Sequence, residues 1–186
     1  KGRSRIEMFS TEISRRIVQQ NQLSICIRSA SKDEFFMRYQ PKVDMRTNEL
    51  VGFEALLRWQ HRDNQEMLPD TFISIAEDTG AITEIGQHVL SLVCKQLKRW
   101  GSFAKPVAIN ISAIQLKDPR FVSEFINTID AYNVSRNLLE IEITESVLIS
   151  NTAEVSKAIT DLRSQGVRVA LDDFGTGYSS LSYLTN

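Results

Sequence analysis

Leu139-Glu-Ile-Glu-Ile-Thr-Glu145 leads into a segment carrying Val155, Ala158, Ile159 and Leu162, then Gly166, then Val167-Arg-Val-Ala-Leu-Asp-Asp173. The two outer runs are short, apolar and β-branched, so they read as strands over about 138–143 and 167–171. Between them the apolar residues recur at three and four, the spacing of one helical face, and Gly166 stands where a helix C-terminus takes a glycine. A strand, a crossover helix and a second strand predict a parallel pair.

Working outward, the same unit repeats. Val107 to Ile111 reads as a strand, Asp118-Pro119 as a cap with a first-turn proline, and Phe121, Val122, Phe125, Ile126 and Ile129 as the buried face of a helix. Before it, Ile82, Ile85, Val89, Val93, Leu97 and Trp100 mark a long helix ended by Gly101, and a shorter helix is expected near Thr71 to Asp78. Further back, Phe35 to Asp44 and Glu49 to Trp59 are strand-like runs joined by too few residues for a crossover, so they must pair antiparallel. Residues 1 to about 30 read as a polar connector helix with Ile13, Ile17 and Val18 on one side, a stripe that needs a neighbour.

Polar groups sit where these apolar strands end: Glu54 in Val51-Gly-Phe-Glu-Ala-Leu-Leu-Arg-Trp59, Asn110 in Val107-Ala-Ile-Asn-Ile-Ser112, Glu142 and Glu145, and Asp172-Asp173. Buried carboxylates are costly unless paired or bound to a cation. In parallel α/β folds, open or barrel-shaped, reacting groups gather at the carboxyl ends of strands. No glycine-rich nucleotide fingerprint opens the first βα unit, which favours the barrel. Glu54, Asn110, Glu142, Asp172 and Asp173 are oxygen donors without His or Cys, a set suited to Mg²⁺ or Mn²⁺ rather than zinc. Adjacent acids could serve two ions about 4 Å apart, the arrangement that cleaves phosphate esters.

Each station has a plainer alternative. Glu54 could pair with Arg58, Asn110 could be a turn residue, Glu142 and Glu145 could be a solvated edge, and Asp172-Asp173 could cap the next helix. Asp173-Phe-Gly-Thr-Gly-Tyr-Ser-Ser-Leu181 could cradle an anion or be a simple turn. Its Asp-Phe-Gly triplet lacks the catalytic loop and strand lysine of protein kinases. His88 falls on the polar side of the long helix and is expected to be solvated, and His61 follows a strand end.

The 186 residues are 42% hydrophobic and 24% charged with a formal net charge of −1, the profile of a globular chain rather than a polycation for DNA or RNA polymers or anionic membrane. No run spans a bilayer, so these residues are not expected to insert into a membrane. Cys26 and Cys94 lie far apart in helix-like segments without a CxxC or Cys/His cluster, which predicts reduced thiols and a cytoplasmic setting, or the cytoplasmic side of a membrane-anchored parent.

Together, Gly52-Phe-Glu-Ala-Leu-Leu-Arg-Trp59, Asn110-Ile-Ser112, Glu142-Ile-Thr-Glu145 and Asp172-Asp-Phe-Gly-Thr-Gly-Tyr-Ser-Ser-Leu181 resemble the EAL-domain cyclic di-GMP phosphodiesterases, from about Phe35 to the last residue. The resemblance implies an α/β fold, a TIM-type (β/α)8 barrel with an antiparallel first strand, and two Mg²⁺ or Mn²⁺ ions that open cyclic di-GMP to linear pGpG. By the same resemblance Glu54, Asn110, Glu142 and Asp172 would be metal ligands and Asp173 would hold the second ion. Glu145 would brace the Asp173–Ser180 loop, while Arg58 and Gln40 would contact the substrate. Residues 1–33 resemble the connector that often follows a GGDEF domain, leaving 34–186 as the N-terminal portion of an EAL domain. Homodimers are common in the family, but the sequence singles out no interface.

After Trp59, the segment Gln60-His-Arg-Asp-Asn-Gln-Glu66 lacks the family's proline and glycine, so a different loop is expected. A complete barrel needs about 250 residues. The family's later strands, with their Lys-x-Asp, a further glutamate and a Gln-Gly pair, are not among these 186. The chain is therefore expected to stop after about the fifth strand and, alone, to hydrolyse substrate poorly. The alternative function is a non-catalytic module that senses cyclic di-GMP or docks a protein.

Overall fold

The hairpin forms as its short turn requires. In the computed structural model, which describes residues 11–61, 66–145, 147 and 152–172, β1 (Phe35–Val43) runs antiparallel to β2 (Leu50–Gln60). Asp44 shapes the turn by accepting hydrogen bonds from the backbone N–H groups of Arg46 (2.8 Å) and Thr47 (3.0 Å), and Asn48 takes the left-handed conformation at φ 56°. A two-residue strand, β3 (Glu66–Met67), then folds back on β2 with Met67 opposite Trp59. The sequence carried no period long enough to announce it.

Beyond the hairpin the chain alternates as expected. The helices α1 (Thr11–Ser29), α2 (Pro69–Thr79), α3 (Ala81–Trp100), α4 (Ala113–Lys117), α5 (Phe121–Ala131) and α6 (Ala153–Ser164) accompany β4 (Val107–Asn110), β5 (Leu139–Thr144) and β6 (Arg168–Asp172). The sheet order is β1-β2-β4-β5-β6, and every pairing after β2 in that order is parallel. This is an antiparallel hairpin followed by parallel βα repeats in one sheet.

Alternation along the strands sorts the residues onto two faces. Trp59, Ala55, Val107, Ile109, Leu139, Ile141 and Ile143 are buried on the face that packs against the helices. The opposite face carries Gln40, Lys42, Glu54, Asn110, Glu140, Glu142 and Asp172. Helix α3 supplies the cover with Ile82, Ile85, Val89, Val93 and Leu97 at helical spacing, and it ends at Gly101, whose φ of 56° and N–H to the Leu97 carbonyl make the C-cap. Trp100 closes this end of the core, 4.7 Å from the Phe53 ring and 5.2 Å from Tyr39.

Close approach decides one glycine. A Cβ on Gly52 would stand 2.8 Å from the Pro106 carbonyl oxygen, the same oxygen that accepts the Phe53 N–H at 2.8 Å and ties β2 to the start of β4.

Several expectations need correction. Asp118 caps the start of α5 as expected, taking the Arg120 N–H on Oδ1 at 2.9 Å and the Phe121 N–H on its carbonyl at 3.0 Å, but the sequence reading missed α4, which Ser112 and Gln115 open with a capping box of their own. The short helix begins at Pro69 because proline suits the first helical turn. Among the described side chains of α1, Leu23, Cys26 and Ile27 are covered while Ile17 and Val18 stay exposed; that of Ile13 lies outside the described residues. His88 is half-buried rather than fully solvated; its Nε2 is covered with no hydrogen-bond partner among the described residues, and burial holds its pKa below the ordinary histidine value. No described helix is long and apolar enough to cross a membrane.

Both cysteines are free thiols, and they differ sharply in access. Cys94 is fully buried in α3 and burial pushes its pKa up to about 12, while Cys26 is half-buried on α1. Iodoacetamide applied to the native protein at mildly alkaline pH should alkylate Cys26 and spare Cys94, with both reacting in guanidinium. Equal native rates, read by mass spectrometry, would contradict the packing of α3.

Candidate active site

The register of the sheet sets the site. Gln40 lies opposite Glu54, Glu54 beside Ala108, Asn110 beside Glu142, and Thr144 beside Asp172. Since side chains two residues apart share a face, Gln40, Glu54, Asn110, Glu142 and Asp172 all project from the face the helices leave open, rising toward the carboxyl ends of the parallel strands. Asp173 and the Asp173–Leu181 loop lie outside the described residues.

Contacts between these groups are specific. Asn110 Nδ2 donates to Glu54 Oε1 at 3.0 Å, so Glu54 is held by its neighbour strand and not by Arg58. That bond uses the amide nitrogen of Asn110 and one carboxylate oxygen of Glu54, leaving Asn110 Oδ1 and Glu54 Oε2 as further acceptors. Glu142 is 9% exposed, with its carboxylate bound by the Lys42 ammonium, which also reaches Glu140 Oε1 at 3.3 Å. Burial pushes the Glu142 carboxyl above the ordinary glutamate range; Lys42 pulls it back, and the charges of Glu54 and Asp172 push it up again. For Lys42, burial acts to lower the pKa, but hydrogen bonds and charge from Glu142 and Glu140 outweigh it, so the ammonium lies above the ordinary lysine value.

Arg58 sits higher on the same face. Its Nη1 donates to the Leu57 carbonyl at 2.8 Å, and its Nε lies 3.4 Å from Glu66 Oε1, close enough for an ion pair although the Nε–H makes no hydrogen bond among the described residues. Glu66 in turn forms a two-point contact with Arg38, at 2.9 and 2.6 Å. Glu145 follows β5 at the start of a helical turn and is half-buried. His61 stacks edge-on against Trp59 at 5.4 Å and stays on the aromatic cluster.

Among the described residues, no three His, Cys, Asp or Glu side chains are already drawn together tightly enough to hold an ion. The chemistry of the set nonetheless fits a hard cation. Its donors are all oxygen, and Glu142 is a carboxylate crowded by two like charges and already covered by a cationic group. Sequence reasoning missed Lys42, Glu140 and Glu66. Period-two spacing was the available signal for two of them, since Lys42 follows Gln40, and Glu140 precedes Glu142, by two residues.

The family model for the EAL domain matches residues 20–186. The chain is 36% identical to the cyclic di-GMP phosphodiesterase PdeR of Escherichia coli, with 98% of this chain and 28% of that protein covered. It is 35% identical to the signaling protein YkoW of Bacillus subtilis, covering 99% of this chain and 23% of YkoW. Among solved structures, one described as "PaMucR Phosphodiesterase, c-di-GMP complex" superposes with a TM-score of 0.81 at 35% identity, covering 88% of this chain and 68% of that one. The chain thus spans about a quarter of the length of these curated relatives.

Proposed function

The chain belongs to the EAL domain family, and from that premise we propose that the protein carrying it hydrolyses cyclic di-GMP to linear pGpG with two Mg²⁺ or Mn²⁺ ions. The observation that carries this reading is the placement of Glu54, Asn110, Glu142 and Asp172 on successive strands, on the one face the helices leave open. A shared barrel architecture with the EAL structures supports it, as does the PdeR relative named for this activity.

In this reading each residue has a task. Glu54, Asn110, Glu142 and Asp172 hold metal through oxygen, and Asp173 holds the second ion. The hydrogen bond from Asn110 fixes the Glu54 carboxylate so that its second oxygen keeps a set direction. When bound, the ions supply the Lewis acidity that polarises the phosphodiester and acidifies the attacking water. Arg58 offers a planar donor fork to a substrate phosphate, which must compete with Glu66 for it. Gln40, opposite Glu54, reaches the substrate from the antiparallel strand, and Glu145 braces the Asp173–Ser180 loop. Residues 1–33 form the connector from an upstream GGDEF domain, and 34–186 are the N-terminal portion of the EAL domain. The protein works in the cytoplasm or on the cytoplasmic side of a membrane-anchored parent.

Incubating the full-length protein with cyclic di-GMP and Mg²⁺ should yield linear pGpG by chromatography, and EDTA should stop it. Ligand that binds and is recovered intact would replace hydrolysis by a sensing role.

A pH dependence follows from Glu142. An acid with a raised pKa takes up its proton at a higher pH than an ordinary glutamate, and only the ionised form binds a cation. Mn²⁺ affinity should therefore fall as the pH is lowered from about 8 to about 5, with the decline starting above the ordinary glutamate range. Glu142→Gln should bind more weakly and lose that part of the slope; an unchanged profile would remove Glu142 from the ligand set.

A further inference from the structure

Lys42 stands apart from the expected machinery. It lies on β1, two residues past Gln40 on the same face, directly opposite Gly52. That glycine has no side chain, and β4 carries the small Ala108 on this face between Glu54 and Glu140. Lys42 Nζ meets Glu142 Oε1 and, at 3.3 Å, Glu140 Oε1.

This is not an ordinary surface ion pair. The Glu142 side chain is only 11% exposed, so its charge is poorly solvated, while Lys42 at 35% reaches it from the partly exposed side. Glu142 also has Glu54 and Asp172 as charge neighbours. Among the described residues, the Lys42 ammonium is the cation in contact with this crowded carboxylate.

Resting on the metal reading given above, we propose that Lys42 is an internal counter-cation that competes with the divalent ion for Glu142 and so sets the affinity of the site. A divalent ion on Glu142 must either displace the ammonium from Oε1 or sit beside it, and each costs binding free energy. Glu140 gives the displaced ammonium somewhere to go: it is already a partner and lies one strand alternation below Glu142. Lys42 is thus a positioning residue that lowers ion affinity while keeping the empty site from repelling itself apart.

The test is Mn²⁺ binding to the full-length protein, followed by the paramagnetic resonance of free Mn²⁺ without substrate. Lys42→Met and Lys42→Gln should each bind Mn²⁺ roughly tenfold more tightly than the parent, while Lys42→Arg, which keeps the charge, should stay near it. The glutamine variant retains a donor toward Glu142 and reads the effect should methionine disturb the fold. Affinity in Lys42→Met and Lys42→Gln equal to or weaker than the parent's overturns the proposal and leaves the metal reading standing. No saturable Mn²⁺ binding in any form, parent included, overturns the metal reading and this proposal with it.

Discussion

Glu54→Ala in the full-length protein should cut Mg²⁺-dependent opening of cyclic di-GMP on the order of a thousandfold, the rate equivalent of losing several kcal/mol of charge stabilisation. The effect is large because Glu54 does two things. It offers a carboxylate oxygen on the open face, and it is the acceptor that anchors the Asn110 amide at 3.0 Å, so its loss also frees a second donor of the set. Glu54→Gln separates the two: its carbonyl oxygen can still accept from Asn110, but the negative charge is gone. Both variants should keep the circular dichroism of the parent, since Glu54 lies on the face away from the core. Full activity in Glu54→Ala would end the assignment of this face.

Trp59→Ala should cost about 3–5 kcal/mol of stability, enough to unfold a marginal domain. Trp59 is 0% exposed and stacks on Phe35 at 5.6 Å, with Phe72 edge-on at 5.5 Å. Its Nε1–H donates to Glu34 Oε2 at 3.0 Å, while Glu34 Oε1 accepts from the Ser31 N–H in a capping box. Removing the indole therefore opens a cavity among rings and takes a partner from a carboxylate at the junction of connector and sheet. Trp59→Phe keeps most of the packing and should lose about 1 kcal/mol with the hydrogen bond. Urea midpoints measure both, and a midpoint for Trp59→Ala within error of the parent would show that this cluster does not hold the hairpin to α2.

Most of the fold could be read from the chain because its signals are local. Few residues separate Asp44 from Glu49, so the hairpin had to be antiparallel, and helical spacing in Ile82 to Leu97 named the face of α3 that is buried. The open face was also legible: strand alternation puts Glu54, Asn110, Glu142 and Asp172 on one side once the strands are parallel. What escaped depends on partners distant in sequence or on competition between local signals. Lys42 meets Glu142 from the far side of two strands, and Arg58 meets Glu66 rather than Glu54, which no periodicity reveals. The cap at Asp118 formed as expected, whereas the five-residue α4, opened by Ser112 and Gln115, is too short for a helical period to announce it. His88 looked solvated because polarity along α3 does not show which neighbours half-bury it; burial lowers its pKa, and a hydrogen bond with the Phe35 main chain only partly offsets this. Asp173, the remaining member of the expected set, falls outside the described residues.

The most direct measurement is anomalous diffraction at the manganese edge from crystals of the full-length protein soaked with Mn²⁺ and cyclic di-GMP. The account requires peaks about 2.1 Å from oxygens of Glu54, Asn110, Glu142 and Asp172, with a substrate phosphate beside them. Peaks elsewhere, or bound cyclic di-GMP with no metal on this face, would contradict it.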